Sequence, residues 1–476
     1  MVVLIVVIIF IVILLINAYR AKSMGRKLTN QIEVLTNEDN IRYAKELAKL
    51  IRCKTIYNKR DYDDTEFSKL RDELKSMFPN IYEKGEVQVF STGCLIYKIE
   101  GVDKSRNIML MSHHDVVEAT GEWKHDPFLG EIIDGNIWGR GTVDTKTSFF
   151  AELMALEELL KEGFKPEVNV YIGSSNNEEA SGDGIPTALQ YFKENNISFE
   201  LVLDEGGAII YPPMPGMKDK AAMIAVHEKG RHPLKCTATT DLGHFGLSPN
   251  KDTPIVRMAK FISEVDKEKP FIKKIYPEVK EMFIDLSPYM TLPMRIIFSN
   301  LWIFSPILKI IMPKLNPQAG AMLGTMCYFT NIKGGQTPHI QTKDVEATAF
   351  MRCVNDEDLK KDIEALKKIA DKYGIIIEDG DGCEYYKPVD LKAKPYSYVK
   401  ECINSIFPQV AVAPYILPAG TDGRHLTEIC NCVLRFAPIN ITKEQFASVH
   451  NINENINIKA IGDAVLFYKK VIRSYK

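Results

Sequence analysis

The chain has 476 residues, longer than an ordinary single domain, so we predict two domains with one inserted in the other. Apolar residues make up 45% and charged residues 26% of the sequence, values typical of a globular protein with a hydrophobic core. The formal net charge is −2 and both signs are spread along the chain, which argues against nucleic acid as a partner.

The chain begins with an apolar run, Met1–Ala18, that is interrupted only by Asn17. A helix over this run spans roughly 27 Å, about the thickness of a bilayer core. A cleaved signal peptide and a buried helix are the alternatives, but no A-x-A cleavage site follows. We therefore predict a transmembrane anchor over 1–18 and a linker over 19–37. The run is followed by four basic residues: Arg20, Lys22, Arg26 and Lys27.

Positive charge after a membrane span marks the cytoplasmic side, so we expect the body of the protein there. The nine cysteines are scattered, and only Cys430 and Cys432 lie close together. That pair lacks the second half of a zinc-site spacing, so the pattern favours free thiols in a reducing compartment.

From residue 38 the pattern alternates between short apolar strands and amphipathic helices. The predicted strands are Asn107–Ser112, Glu167–Gly173 and Phe199–Leu203, and the predicted helices are Thr145–Glu162 and Thr187–Glu194. In the longer helix, Phe149, Leu153, Leu156 and Leu160 fall on one stripe, and Gly163 follows as a cap. This rhythm indicates a parallel sheet with sites at the carboxyl ends of its strands.

The sequence pattern over 223–353 differs from the alternation of short strands and helices that precedes it, with strand-like stretches at 232–240 and 346–353. It also contains an apolar run, Met290–Met312, which includes two charged residues and three nearby prolines. Charges and prolines argue against a second membrane span. We favour a buried helical insertion, with an interfacial or substrate-lining helix as the alternative.

Acidic or histidine-rich motifs follow the predicted strands or begin the long helix. They are His113-His114-Asp115, Gly139–Asp144, Asn177-Glu178-Glu179 and Asp204–Gly207, joined far down the chain by His450. Each has a structural explanation by itself, such as a solvated turn or a helix N-cap. Together at one sheet edge, however, their carboxylates would repel unless cations bound them. His, Asp and Glu ligands suit zinc, with manganese or cobalt as alternatives.

The motifs HHDVV, GRGTVDTK, NNEEASGDG, LVLDEGG and VHNINEN, in this order, resemble the co-catalytic zinc peptidase family of aminoacylase, carboxypeptidase S and glutamate carboxypeptidase. The resemblance runs from about residue 40 to the C-terminus and is greatest to the branch of carboxypeptidase S and the N-fatty-acyl-amino-acid hydrolases. It implies an α/β fold whose catalytic domain, over 38–222 and 354–476, has a mainly parallel sheet. An inserted α+β lid or dimerisation domain would then occupy 223–353.

The resemblance implies a centre of two Zn²⁺ ions. His113 and Asp204 would complete the site of one ion, Glu179 and His450 that of the other, and Asp144 would bridge both. In the same family, the two ions lower the pKa of a bridging water and polarise the scissile carbonyl.

Catalytic roles also follow from the resemblance. Glu178 would take a proton from the metal-bridging water and pass it to the leaving amine. Asp115 would hydrogen-bond the second ring nitrogen of His113 and fix its tautomer. His244, in place of the histidine of the family's G-H-S-S motif, would approach the active site from a dimer partner and stabilise the oxyanion.

Substrate contacts are the least specific part of the resemblance. Arg352, Thr421, Asp422 and Arg424 resemble contacts to a substrate carboxylate, for which an arginine fork is suited. His339 stands where the family has the asparagine of an N-x-I-P motif, so the substrate's identity stays open.

These inferences predict a membrane-anchored dizinc hydrolase that cleaves the amide bond of a dipeptide, a short peptide or an N-acyl amino acid. Its expected partners are that substrate, the membrane and, through the lid, a second copy of the chain. The alternatives are a catalytically silent binding or scaffold protein of the same fold and a biosynthetic N-acyl amino acid deacylase. The presence of all five ligands and of Glu178 argues against a silent protein.

Overall fold

A computed structural model describes residues 1–31, 33–241, 252–315, 317–335, 340 and 342–476. Its helices are α1 Val2–Met24, α2 Asn37–Ile51, α3 Thr65–Met77, α4 Pro79–Lys84, α5 Lys146–Lys161, α6 Gly184–Glu194, α7 Pro254–Glu268, α8 Pro277–Leu286, α9 Leu292–Phe298, α10 Leu301–Leu315, α11 Pro317–Ala321, α12 Asp356–Lys372, α13 Lys394–Ile406, α14 Lys443–Ala447 and α15 Ile458–Ser474. Its strands are β1 Glu86–Val89, β2 Leu95–Ile99, β3 Asp103–His113, β4 Glu131–Ile133, β5 Asn136–Trp138, β6 Val168–Ser175, β7 Leu201–Asp204, β8 Ile209–Ile210, β9 Ala221–Glu228, β10 Gly230–Thr239, β11 Met326–Lys333, β12 Asp344–Cys353, β13 Ile375–Asp379, β14 Ala411–Leu417, β15 Val433–Arg435 and β16 Asn455–Asn457. The predicted strands and helices are therefore confirmed to within a few residues at each end.

The central sheet has the strand order β1-β2-β6-β3-β7-β15-β9-β14, with β8 paired to β9. Its middle strands are parallel, since β3 pairs in parallel with both β6 and β7, and β7 pairs in parallel with β15. Every residue of β6 and of β7 is buried, as a sheet covered on both faces requires. The predicted α/β fold with a mainly parallel sheet is confirmed.

Helix α5 covers this sheet and is itself covered by α2 and α15. Its predicted apolar stripe is confirmed, because Phe149, Leu153, Leu156 and Leu160 are all buried in the main core. Gly163 follows the helix with a φ of 78°, and its N–H donates to the carbonyl of Leu160. The positive φ favours glycine there, so the local sequence ends the helix where the chain must turn toward β6.

The second unit is an antiparallel sheet with the order β11-β12-β10-β13, and helices α7 and α12 pack on it. It has a core of its own that includes Leu234, Phe261 and Leu366. The predicted inserted α+β domain is confirmed as a separate layer. The sheet pairing differs from the expected bounds of 223–353, because β9 belongs to the central sheet and β13 to the second one.

The apolar run Met290–Met312 forms α9 and α10, which are bent by 101°. Helix α10 continues through Pro306 and Pro313, so these prolines do not end it. Its inner side is buried, but our expectation of a buried helical insertion is wrong for its outer side. The exposed apolar residues there are Trp302, Ile307, Ile310 and Ile311.

Helix α1 begins at Val2 and continues past the predicted anchor to Met24. Of the described helices, it is the one long and apolar enough to cross a membrane alone, and α9 with α10 passes the same test only as a bent pair. None of the nine cysteines, which all lie in the described residues, forms a disulfide.

Candidate metal centre

The carboxyl ends of β3, β6 and β7 meet at one edge of the central sheet, and the predicted ligands lie there. His113 is the last residue of β3, Glu179 follows β6, and Asp204 is the last residue of β7. Asp144 lies just before α5, and His450 lies in the loop between α14 and β16. Parallel pairing thus brings together side chains that are far apart in the chain.

Asp144 lies between two imidazoles. Its Oδ1 is 3.0 Å from His113 Nε2, and its Oδ2 is 3.2 Å from His450 Nε2. His450 Nε2 is also 2.9 Å from Glu179 Oε2. One oxygen of Asp144 thus faces each histidine, and candidate ligand atoms of His113, Asp144 and Glu179 all lie within 4.8 Å of one another.

The pKa shifts of the histidines and of Asp144 show that this cluster favours positive charge between its carboxylates. Burial would lower the pKa of His113, but its bonds to Asp115 and Asp144 outweigh burial and raise the pKa well above 6.5. The hydrogen bond to Asp144 and that to Glu179 raise the pKa of His450 to about 10. Burial opposes ionisation of Asp144, yet the two imidazoles hold its pKa below the usual range. The carboxylates thus draw protons onto both histidines, and divalent cations would supply the same positive charge.

Asp115 ties two of the motifs together. This fully buried carboxylate lies with Oδ1 3.3 Å from His113 Nδ1. It also accepts hydrogen bonds from the backbone N–H groups of Glu178 at 3.2 Å and Glu179 at 3.1 Å. Asp115 therefore orients the imidazole and fixes the backbone of the glutamate pair, a second role that its sequence position did not indicate.

Glu178 lies on the wall of the same cavity as Asp144 and Glu179. Burial raises the pKa of Glu178 well above 4.5, opposed by nearby His113 and assisted by the buried carboxyl of Asp422. A carboxyl group with a raised pKa is suited to accept and return a proton near neutral pH.

Glu205, rather than its neighbour Asp204, lines this cavity. Both carboxylate oxygens of Asp204 already accept backbone hydrogen bonds, Oδ1 from Glu205 at 2.9 Å and Oδ2 from Gly423 at 2.7 Å. A Cβ at residue 423 would lie 2.6 Å from Oδ2, so the contact requires glycine. Burial raises the pKa of Glu205 well above 4.5, and the carboxylates of Asp144 and Asp204 raise it further. Asp204 therefore stays a predicted ligand, and Glu205 is a second carboxylate beside it that lines the cavity.

Glu454 is a buried residue of the site that we did not predict. Its Oε1 accepts hydrogen bonds from the backbone N–H groups of Val143 at 2.7 Å and Asp144 at 3.1 Å. Its Oε2 accepts from Arg140 Nη1 at 2.8 Å. Glu454 thus fixes the loop that carries Asp144 and ties it to the segment of His450. The available signal was its place in the VHNINEN motif, four residues after the histidine.

The predicted substrate contacts gather around a second buried carboxylate, Glu228. Its Oε2 accepts a hydrogen bond from the Thr421 backbone at 3.2 Å and lies 3.1 Å from Arg435 Nη2. Arg352 and Arg424 are close enough to oppose the effect of burial on the pKa of Glu228. Neither Glu228 nor Arg435 was predicted, because an isolated Glu and Arg carry no motif.

Of the predicted contacts, Thr421 lines the cavity. Arg424 is buried and donates from Nη1 to the carbonyl of Thr421 at 2.7 Å. Burial raises the pKa of Asp422 to about 7. His244 and His339 lie outside the described residues.

A cavity of about 480 Å³ adjoins this cluster. Small-molecule sites typically occupy roughly 300–1,000 Å³. The wall of this cavity includes Asp144, Glu178, Glu179, Glu205 and His450. The rest is mainly apolar and is lined by Ile210, Met214, Met223, Met282, Ala319, Met322, Tyr415, Leu417, Ile439, Ile441 and Phe446.

Comparison with known proteins agrees with this geometry. The model of peptidase family M20/M25/M40 matches residues 109–474. The probable carboxypeptidase S-like 2 of Dictyostelium discoideum is 30% identical, with 97% of this chain and 91% of the relative aligned. The N-fatty-acyl-amino acid synthase/hydrolase PM20D1 of Xenopus tropicalis is 28% identical, with 97% of this chain and 92% of the relative aligned.

Among solved structures, the metallo-carboxypeptidase Sso-CP2 of Sulfolobus solfataricus has a TM-score of 0.63 at 18% identity. The match covers 90% of this chain and 98% of that chain. At 18% identity this structural likeness shows a shared fold and nothing further. The match to the family model covers residues 109–474, which is most of the chain. The resemblance stated from the motifs is confirmed.

Proposed function

Since this chain belongs to peptidase family M20/M25/M40, we propose that it is a membrane-anchored, two-zinc hydrolase that cleaves the amide bond of an N-acyl amino acid. The observation that carries the proposal is the mainly apolar cavity whose wall includes Asp144 and Glu179 of the cluster with His113. An amide bound at the cluster would let an acyl chain occupy the apolar part of the cavity. The name of the Xenopus tropicalis relative, an N-fatty-acyl-amino acid synthase/hydrolase, supports this substrate class over a dipeptide.

The donor set fits two cations. Asp144 offers one oxygen on the side of His113 and the other on the side of His450 and Glu179. When bound, two divalent ions supply Lewis acidity toward the amide carbonyl and lower the pKa of water. Zinc suits these nitrogen and oxygen donors, with manganese or cobalt as alternatives.

We assign the fifth ligand to Glu205 in place of Asp204. The Glu205 side chain lines the cavity beside Asp144, while both oxygens of Asp204 are held by backbone donors. Asp204 would then position the Glu205 backbone and the loop of Gly423. In this assignment Glu205 completes the site of His113.

Within this centre, Glu178 would take the proton of the attacking water and return it to the leaving amine. Asp115 would keep the His113 ring in place, and Thr421 would contact the amino-acid part of the substrate. Arg352 and Arg424 would provide positive charge behind Thr421 for the substrate carboxylate. His244 and His339 stay sequence predictions for the oxyanion and the substrate, respectively.

The acyl-chain assignment is tested by rates on N-acyl amino acids of increasing chain length, with dipeptides in parallel. We expect kcat/KM to rise with chain length, since each buried methylene contributes about 0.8 kcal/mol.

Ala319→Phe should fill the cavity where Ala319 forms its wall. We expect this variant to lose about tenfold on long-chain substrates, the worth of about two methylenes, and nothing on N-acetyl substrates.

The matched control is Ala321→Phe, two residues further along and outside the cavity wall, which should leave both rates unchanged. Equal rates for all chain lengths, or a preference for dipeptides, would contradict the assignment.

Metal binding should depend on pH in a defined direction. With a pKa of about 10, His450 carries a proton at pH 7 in the metal-free protein and must lose it to bind a cation. We therefore expect metal binding at pH 7 to release at least one proton. The affinity should fall about tenfold per pH unit on acidification for each proton released. Titration calorimetry in buffers of different ionisation enthalpy measures this, and binding without proton release would argue against His450 as a ligand.

We propose that α1 is retained as the anchor, because it makes specific contacts with the body. Asn17 Nδ2 donates to Asn300 Oδ1 at 2.8 Å, and Lys22 Nζ donates to the carbonyl of Pro288 at 3.1 Å. Arg26, two residues after the end of α1, donates to the carbonyls of Pro408 and Val410. The cytoplasmic orientation and the homodimer through the lid stay predictions. Protease protection in sealed vesicles tests the first, and particle mass in solution tests the second.

The two alternative functions predict different results in the same substrate assays. A silent scaffold would bind the substrate without turnover in the presence of metal. A biosynthetic deacylase would prefer short acyl groups such as acetyl or succinyl, which leave most of the apolar cavity empty. The chain-length series therefore separates both from the proposed function.

A further inference from the structure

Helices α9 and α10 lie against the apolar helix α1. The less exposed residues of α1 recur at helical spacing and form one face: Phe10, Leu14, Asn17, Ala18 and Ala21. Asn300, between α9 and α10, is fully buried, accepts from Asn17 and donates to the carbonyl of Leu14 at 3.2 Å. Trp302 packs edge-on against Phe10, with ring centroids 5.9 Å apart, and its indole N–H donates to Asn300 Oδ1 at 3.3 Å.

These contacts place the start of α10 at the depth of the apolar part of α1. Phe10 lies eight residues before Ala18, which is roughly 12 Å along a helix. Amide side chains that hydrogen-bond each other between helices are typical of protein in a lipid environment, where water cannot satisfy them. The Asn17–Asn300 pair and the indole N–H are satisfied in this way.

The outer side of α10 is apolar and exposed. Trp302 is 62% exposed, Ile307 53% and Ile310 63%. The inner side is apolar as well, since Leu301, Leu308 and Met312 are buried. A helix with apolar residues on two opposite sides is stable where neither of these sides meets water, in a protein core or in a membrane.

The inner side of α10 packs against the hydrophobic cluster behind the wall of the substrate cavity, although none of its described residues lines the cavity. Leu308 and Met312 pack in one hydrophobic cluster with Met282 and Met322, which line the cavity. Helix α11, which follows α10, contributes Ala319 to that wall. The exposed side of α10 and part of the cavity wall therefore belong to one packed group of helices.

We propose that α1, α9 and α10 form one bilayer-embedded surface, and that the acyl chain of the substrate enters the cavity from the lipid past α10 and α11. The occupant of the exposed side of α10 is thus lipid acyl chains. Continuity with α1 carries this choice, because Trp302 touches α1 in the middle of its apolar run. Lys309 and Lys314 lie on α10 itself, and long lysine side chains reach the headgroup region from an embedded helix. The entry route rests on the proposed amide hydrolysis, whereas the surface rests only on the proposed membrane anchor α1.

The surface is tested with the full chain in nanodiscs that contain phosphatidylcholine brominated on its acyl chains. The chain has three tryptophans, and Trp123 and Trp138 belong to the catalytic body. Bromine should quench Trp302, so the emission of the wild type should fall. The tryptophan emission of the Trp302→Phe variant should be the same in brominated and in ordinary phosphatidylcholine. Equal emission of the wild type in brominated and ordinary lipid would overturn the proposal.

A second copy of the chain is the competing occupant. In that case Trp302 would stay unquenched by brominated lipid, and Ile310→Glu would lower the particle mass in detergent. That pair of results would overturn the bilayer surface. An unchanged mass together with quenching of Trp302 would support it.

The entry route is tested by presenting substrate in two ways. A long-chain N-acyl amino acid is dissolved in phosphatidylcholine vesicles, and an N-acetyl amino acid is dissolved in water. The double variant Ile307→Glu, Ile310→Glu should lose about tenfold or more on the vesicle substrate, because carboxylates are strongly disfavoured in the hydrocarbon region. Its rate on the water-soluble substrate should equal that of the wild type.

The matched control is Ile376→Glu, at an isoleucine of β13 in the second sheet that is 54% exposed. It should leave both rates unchanged. Equal loss on both substrates, or no loss on either, would overturn the entry route. If the wild type cleaves neither substrate, the proposed function fails, while the bromine experiment still decides the surface.

Discussion

Replacement of Glu178 with Gln is expected to lower kcat by about 10²–10⁴-fold while the metal content stays at two ions per chain. The amide cannot take the proton of the attacking water, but it has nearly the shape of the carboxyl group. The Glu178 side chain lies on the cavity wall, and its backbone N–H is held by Asp115. The substitution should therefore leave the cluster in place. Steady-state kinetics and metal analysis of the same preparation measure both quantities.

The neighbouring residue provides the matched control. Glu179→Gln should lower the metal content itself, because Glu179 lies 2.9 Å from His450 Nε2 within the candidate ligand cluster. Activity of Glu178→Gln close to that of the wild type would show that another group moves the proton. Loss of metal from Glu178→Gln would instead place Glu178 among the ligands.

The second large effect is expected at Glu205. Glu205→Ala should reduce the metal content from two ions to one and abolish most of the activity, since a carboxylate that faces the cavity is removed. Asp204→Asn should keep both ions, because its oxygens accept backbone hydrogen bonds from Glu205 and Gly423 and the amide oxygen retains one acceptor. Metal analysis after dialysis distinguishes the two variants.

The opposite pattern would restore the ligand set expected from the sequence motif. In that case Asp204→Asn would lose an ion and Glu205→Ala would keep both. A loss of both ions in either variant would show that the two sites fill cooperatively, and the rates of metal release would then rank the two residues.

The sequence motif does not predict that Glu205, and not Asp204, lines the cavity. The motif LVLDEGG places two carboxylates side by side, and neighbouring side chains in an extended chain point in different directions. Which of them faces the cavity depends on where β7 ends and on the backbone N–H of Gly423, which lies more than two hundred residues further on. Neither is visible in a local pattern.

The apolar run Met290–Met312 shows a second limit. Its composition is compatible with a protein core and with lipid, because both exclude water. The prolines argued for breaks, but α10 accommodates Pro306 and Pro313 within one helix. The chain bends instead next to Asn300, whose side chain is used in the contact with Asn17.

The burial of charged residues is a third feature that the sequence did not predict. Glu228 has no distinctive sequence context, and Glu454 was not assigned a role within its motif, yet each organises one side of the site. Glu454 holds the loop of Asp144 by two backbone hydrogen bonds, and Glu228 holds Thr421 beside Arg435. An isolated glutamate is usually a surface residue, so its burial becomes visible only when the chain is folded.

The sequence by itself determined the parallel sheet, the long helix α5 and the meeting of His113, Asp144 and Glu179 at one sheet edge. It could do so because apolar periodicity and strand order are properties of the chain that survive without knowledge of packing. The place of His450 in the cluster followed only from the resemblance of the VHNINEN motif to the zinc peptidase family. The tertiary structure alone decided that Glu205 lines the cavity, that this mainly apolar cavity adjoins the cluster, and that α10 lies beside α1. Those features depend on side-chain direction and on contacts between distant segments, which arise only when the layers pack together.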